Sequence, residues 1–207
     1  PERGLIEPDA FIPLCESTGM VMELDRQVFA TAATQLARWQ AQGRDLVLSV
    51  NVSPRAFSDP AFARQTVAMV AQAGCDASRL ELEITESMLL DAGDAPLDTL
   101  RAIRDAGMTV SLDDFGRGYS NLATLSRFPI HALKIDRAFI AGLDLNPAVA
   151  DLIVQLCRLM KLQSVAEGVE SEAQRRWAAE HGIGQAQGYL FAPPLPLAEF
   201  EALLPPL

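Results

Sequence analysis

Two carboxylates stand side by side in the stretch SLDDFGRGYSN (residues 111–121), where an apolar run ends and a glycine-rich loop begins. Adjacent aspartates repel, and a buried carboxylate without a partner is costly. Asp and Gly are also common turn residues, so Asp113 and Asp114 alone read equally well as a solvated strand-to-loop junction. Their company decides. Asn51, Glu83, Lys134, Glu167 and Gln187 also fall where short β-rich runs give out. Hard divalent cations such as Mg2+ and Mn2+ take oxygen ligands in near-octahedral geometry, and clustered acids become tolerable around such a cation. An adjacent Asp pair can hold two ions, about 3.5–4 Å apart in two-metal hydrolases, which activate a water and stabilise a phosphoryl transition state. Lys134 would add positive charge near that water or the phosphate. Metal ions rather than protein cations are thus the expected compensation for Asp113 and Asp114, with Gly116 and Gly118 letting the loop turn tightly and move.

Other polar residues have plainer readings. Glu81 shares a strand face with Glu83 and reads as a solvated or ion-paired strand residue. Asp136 and Arg137 could form a local ion pair that draws in Lys134. Arg55 could reach a phosphate or lie idle on the surface. Tyr119 and Tyr189 read as loop packing, and His131 as part of a loop leading into its strand.

These residues need elements to carry them, and the pattern alternates between two periods. Helical spacing is found over 23–43, 58–74, 95–107, 147–162, 171–182 and 197–204, the fifth opening with Ser171 and Gln174 in capping-box spacing. Strand-like runs occupy 45–53, 79–87, 108–115, 131–139, 162–170 and 185–191. Short strands alternating with helices predict parallel βα units. By strand count an open doubly wound sheet and a (β/α)8 barrel both fit. In a barrel, the strands' C-terminal ends share the face where βα loops build active sites, and the polar residues fall at those ends. A full barrel takes about 250 residues. The 207 here are about one unit short, at the start, where residues 1–14 read as a loop with no strand before it. The expected fold is therefore an α/β, TIM-like (β/α)8 barrel lacking its first strand.

Composition bounds the rest. The chain is 49% hydrophobic and 21% charged, as in a globular protein. A net charge of −10 without basic runs argues against binding a long nucleic acid. The cysteines Cys15, Cys75 and Cys157 are dispersed and odd in number, and read as reduced, buried thiols of a cytosolic domain. Two histidines, His131 and His181, are too few for a His-rich zinc site. No apolar stretch approaches a membrane span of ~18 residues.

The motifs NVSPRAF, LELEITES, SLDDFGRGYSNL, FPIHALKIDRAFI, VAEGVESEAQ and QAQGYLFAPPLP, in this order and spacing, resemble the EAL domain family of bacterial cyclic-di-GMP phosphodiesterases. The resemblance covers essentially the whole chain. It implies a modified TIM barrel hydrolysing cyclic-di-GMP to linear pGpG with two Mg2+ or Mn2+ ions. By motif, Asn51, Glu83 and Asp113 look like ligands of the first ion, with Asp113 bridging to the second. Asp114 and Glu167 look like ligands of the second, and Lys134 resembles the lysine that contacts the attacking water. Glu86 resembles a glutamate tethering the DDFG loop, Glu170 a supporting acid, and Gln187 a substrate or supporting contact. Homodimerisation, through a region including the loop after Asp114, is implied, as are GGDEF, PAS or other sensor domains in a longer parent chain. That parent could be membrane-anchored, with residues 1–207 as one cytoplasmic EAL-type domain, incomplete at its N-terminus.

Three departures stand out. The Glu-Ala-Leu signature, with its metal-ligating glutamate, would lie upstream of PERGLI. Arg117 stands where the family usually has Thr or Ala, and Asn121 replaces the usual Ser. A non-catalytic cyclic-di-GMP receptor is the alternative function. An enolase-like barrel, with Lys134 removing a proton, is a third reading that the adjacent Asp pair and the Asn ligand suit less well.

Overall fold

The structure, a computed structural model, describes residues 6–90, 95–116 and 125–205. Arg117, Gly118, Tyr119 and Asn121 lie outside them. The chain divides into two compact units: one runs to Ile84 and includes Met88–Thr109, the other takes in Thr85–Ser87 and Val110 onward.

In the first unit, helices α1 (Pro8–Thr18) and α2 (Val21–Ala41) lead into strand β1 (Leu48–Asn51). The short α3 (Pro54–Phe57), α4 (Phe62–Ala73), strand β2 (Leu80–Thr85), the short α5 (Ser87–Leu90) and α6 (Ala95–Asp105) follow. Phe29, Ala33 and Leu36 give α2 a buried stripe at i, i+4, i+7, and Phe62, Thr66 and Val70 give α4 one at i, i+4, i+8. The stripes meet through aromatic edges: the ring of Phe62 lies 6.0 Å from that of Phe29 and 6.2 Å from that of Phe57. Such rings bury large apolar areas and add about 0.5–1.5 kcal/mol per edge contact. β1 and β2 pair in parallel, Asn51 opposite Glu83.

The second unit carries strands β3 (Thr109–Phe115), β4 (Ala132–Ile135), β5 (Gln163–Ala166) and β6 (Gln185–Ala186), with β4 parallel to β3, β5 to β4 and β6 to β5. Helices α7 (Arg137–Ala141), α8 (Ala148–Met160), α9 (Glu172–Glu180) and α10 (Leu197–Leu203) connect and close them. All of β4 is buried, as expected of a parallel strand covered on both faces. Ala150, Ile153, Val154 and Cys157 form the buried stripe of α8. The capping box of α9 is present: Ser171 Oγ accepts from the Gln174 amide while the Gln174 side chain accepts from Ser171 N.

Four readings need correction. Residues 1–14 read as a loop, but from Pro8 the chain forms a helix, to Thr18, that buries none of its side chains and so leaves no apolar stripe to detect. Its αL cap at Gly19 donates to the Glu16 carbonyl, which also accepts from Arg55 Nη1 at 3.3 Å. Arg55 is thereby a helix-end clamp. The strands read at 131–139 and 185–191 stop early. Asp136 caps α7 by accepting from the Ala138 amide at 2.9 Å, and the chain turns after Ala186. Of the three free cysteines only Cys157 is buried, and burial pushes its thiol up to about 11; Cys15 and Cys75 are half-buried.

Candidate active site

Ordinary alternation sends adjacent strand residues to opposite faces. β3 escapes this at the Asp pair. Its register with β4 runs Leu112 to Leu133 and then Phe115 to Ile135, one residue too many, so Asp113 and Asp114 form a β-bulge. Asp114 has φ 54°, a left-handed conformation that Asp tolerates better than most residues, and its amide donates to Asp113 Oδ1 at 2.9 Å. The chain turns out of the strand at Gly116, φ 99°, where a Cβ would stand 2.8 Å from the Phe139 ring.

The bulge brings both carboxylates to the neighbourhood of Glu167. Lys134 Nζ, almost fully buried at the end of β4, lies 2.6 Å from Glu167 Oε1 and 3.4 Å from Asp113 Oδ1. Asp114 lines a cavity of about 250 Å³ together with Asp136, Arg137, Glu167, Gly168 and Gln187. Gln187 Nε2 donates to the same Glu167 Oε1 at 2.5 Å. Burial pushes the Glu167 carboxyl up to about 7; the Lys134 ammonium opposes that rise and the Asp113 charge reinforces it. A protein cation, Lys134, therefore holds Asp113, contrary to the expectation that metal ions alone compensate the pair.

Backbone fixes Gln187 as firmly as its side chain. The Val169 amide donates to the Gln187 carbonyl at 3.0 Å and the Val169 carbonyl accepts from the Leu190 amide at 3.0 Å. Gly188, φ 154°, passes so close that an added Cβ would overlap the backbone N and O of Val169.

In the first unit Asn51 and Glu83 sit at matched register on β1 and β2, Asn51 exposed and Glu83 buried. Glu81 is buried rather than solvated and accepts from Ser49 Oγ at 3.2 Å. Glu86 is buried. Glu170 is exposed, and its amide donates to Gln174 Oε1 at 2.7 Å. His131 already joins the sheet, its amide donating to the Val110 carbonyl at 2.7 Å. Tyr189 is exposed. The sequence reading missed that Asp136 and Arg137 line the cavity; the signal was an Asp-initiated helix over Asp136-Arg137-Ala138, hidden inside an overlong strand.

Among the described residues, no group of three or more His, Cys, Asp or Glu side chains is drawn together closely enough to hold a metal ion. The donors fit a hard cation in kind, being oxygens throughout, and the ammonium between Glu167 and Asp113 marks a place where positive charge is already held.

Comparison with known proteins accords with this geometry. The cyclic di-GMP phosphodiesterase PdeR of Escherichia coli (strain K12) is 36% identical over 204 residues, 97% of this chain and 31% of that protein. NbdA of Pseudomonas aeruginosa, likewise named a cyclic di-GMP phosphodiesterase, is 38% identical over 208 residues, 99% of this chain and 27% of its own length. The chain thus spans about a third or less of these curated relatives. Among solved structures, the PaMucR phosphodiesterase in complex with c-di-GMP aligns at TM-score 0.93 and 36% identity, covering 97% of this chain and 83% of that one. The α/β, TIM-like fold with parallel strands is therefore that of EAL structures. With the EAL domain model matching residues 1–194, this chain belongs to the EAL domain family.

Proposed function

We propose that this chain hydrolyses cyclic-di-GMP to linear pGpG as the phosphodiesterase domain of a longer bacterial signalling protein. The observation that carries the reading is the buried Lys134, held between Asp113 and Glu167, the latter lining a cavity with Asp114, Asp136, Arg137 and Gln187. Similarity to relatives named cyclic di-GMP phosphodiesterases supplies the substrate. Asn51, Glu83, Asp113, Asp114 and Glu167 would hold two Mg2+ or Mn2+ ions, which, when bound, supply Lewis-acid activation of water and charge neutralisation at the phosphate. Lys134 Nζ holds a proton-rich positive charge beside the carboxylates, orienting the attacking water and countering negative charge as it develops. Gln187 fixes the rotamer of Glu167, while Glu86 and Glu170 support the loops.

The same reading takes the fold to be a (β/α)8 barrel whose first strand precedes Pro1. GGDEF, PAS or other sensor domains in the parent would accord with the fraction of its relatives that the chain spans. A homodimer is favoured by α8, which presents a second apolar stripe opposite its buried one: Val149, Leu152 and Leu159 are 40%, 64% and 84% exposed at seam-like spacing.

The test is turnover of cyclic-di-GMP by the full-length protein with Mn2+ or Mg2+, beside Asp113→Asn. Linear pGpG is expected only with metal, falling roughly 10²–10³-fold in the variant. Tight binding without turnover would make the domain a receptor; neither binding nor turnover would overturn the substrate.

A further inference from the structure

Asp25 lies on α2, far in sequence from every strand-end residue, yet it is joined to the exit of β1. Its Oδ2 accepts two hydrogen bonds from Ser53, from Oγ at 2.5 Å and from the amide at 3.3 Å. Ser53 in turn is the N-cap of α3, its Oγ accepting from the Ala56 amide at 3.2 Å. One residue earlier, the Val52 amide donates to the Glu83 carbonyl at 2.9 Å. The backbone leaving Asn51 is therefore gripped twice, by β2 through Val52 and by α2 through Ser53.

A cap alone does not require this. Serine caps α3 by accepting, and its hydroxyl proton could go to water. Here that proton points to a half-buried carboxylate, and burial pushes the Asp25 carboxyl above its usual range against the pull of the two Ser53 bonds. A group kept where burial disfavours its charge calls for a reason beyond local capping. A second observation sits beside it. A cavity of about 20 Å³, lined by Asp25, Phe29, Ala56, Phe62 and Thr66, has room for one water. The hydroxyl of Thr66, on α4 and fully buried, has no hydrogen-bond partner among the described residues. A water there would be held by Thr66 and would tie α4 into the same link.

We infer that Asp25 is a positioning residue: through Ser53 it sets the end of β1 and so the placement of Asn51 toward a divalent cation. The inference rests on the proposed role of Asn51 as a metal ligand.

The experiment uses the full-length protein and Mn2+ as probe, with affinity read by titration and turnover of cyclic-di-GMP split into kcat and KM. Asp25→Ala is expected to weaken Mn2+ binding and lower kcat by about tenfold, leaving KM within about twofold, as for other residues that orient metal ligands. Ser53→Ala should do the same. Asp25→Asn, whose amide oxygen still accepts from Ser53 Oγ, should recover to within about threefold. The deciding arm is Asn51→Ala with and without Asp25→Ala. If Asp25 acts through Asn51, the double variant binds Mn2+ no worse than Asn51→Ala alone. Additive losses, or an Asp25→Ala protein with unchanged Mn2+ affinity, overturn the positioning role. Should Asn51→Ala by itself change neither affinity nor turnover, the ligand assignment of Asn51 is what fails, and the role of Asp25 falls with it.

Discussion

β2 and β3 each carry two acids close together, and they do so by opposite means. On β2 the glutamates are two apart, Glu81 and Glu83, and regular alternation sets them on one face of a strand buried along most of its length. On β3 the aspartates are adjacent, and only the bulge with Asp114 at φ 54° brings them both toward Glu167. The difference teaches where chemistry was built into backbone rather than into side-chain choice. A regular strand places its acids with no deformation. The bulge costs a ladder position and a left-handed residue, and such strain persists where the surroundings over-determine it.

Separating the backbone of β3 from its charge gives the sharpest break. Asp114→Gly keeps a residue suited to φ 54° while removing the carboxylate. Turnover should fall roughly 10²–10³-fold. The unfolding free energy in denaturant should shift by no more than about 1 kcal/mol. A large loss of stability would mean that Asp114 is structural.

A medium effect is expected from pH. Burial pushes the Glu167 carboxyl up to about 7, so a cation held there as proposed would compete with a proton below that value. Mn2+ affinity should weaken by up to about tenfold per pH unit as pH falls from 7 toward 5, and level off above 7. Isothermal titration across that range, with Glu167→Gln expected to flatten the slope, checks it.

The smallest effect belongs to β2. Glu81→Gln leaves an amide oxygen to accept from Ser49, so steady-state turnover should stay within about threefold of the parent protein. A loss as large as that for Asp113→Asn would erase the contrast between the strands.

Much of this was legible because alternation and helical stripes are written in residue type. The apolar positions of β2, the stripe of α2 and the capping box at Ser171 and Gln174 all follow from spacing. The strand-end residues could be listed for the same reason. Three things were not legible. A bulge leaves no mark in composition, since DD before F reads as the end of any strand. Helix α1 buries no side chain and is defined by its Gly19 cap and the Arg55 clamp, the latter a contact between residues 39 apart in sequence. Lys134 meets Glu167 and Asp113 only once β3, β4 and β5 lie side by side.

Gly188 has a mechanical consequence. Where it passes Val169 there is no room for a side chain: a Cβ added there would overlap the Val169 backbone N and O. Gln187 and Glu167 therefore behave as parts of one rigid bracket rather than as two side chains that must find each other. The backbone carrying them is ordered when the chain folds, which lowers the entropy left to be lost on binding a ligand. A library randomising position 188 would return glycine for reasons of volume, with no reference to the reaction at all.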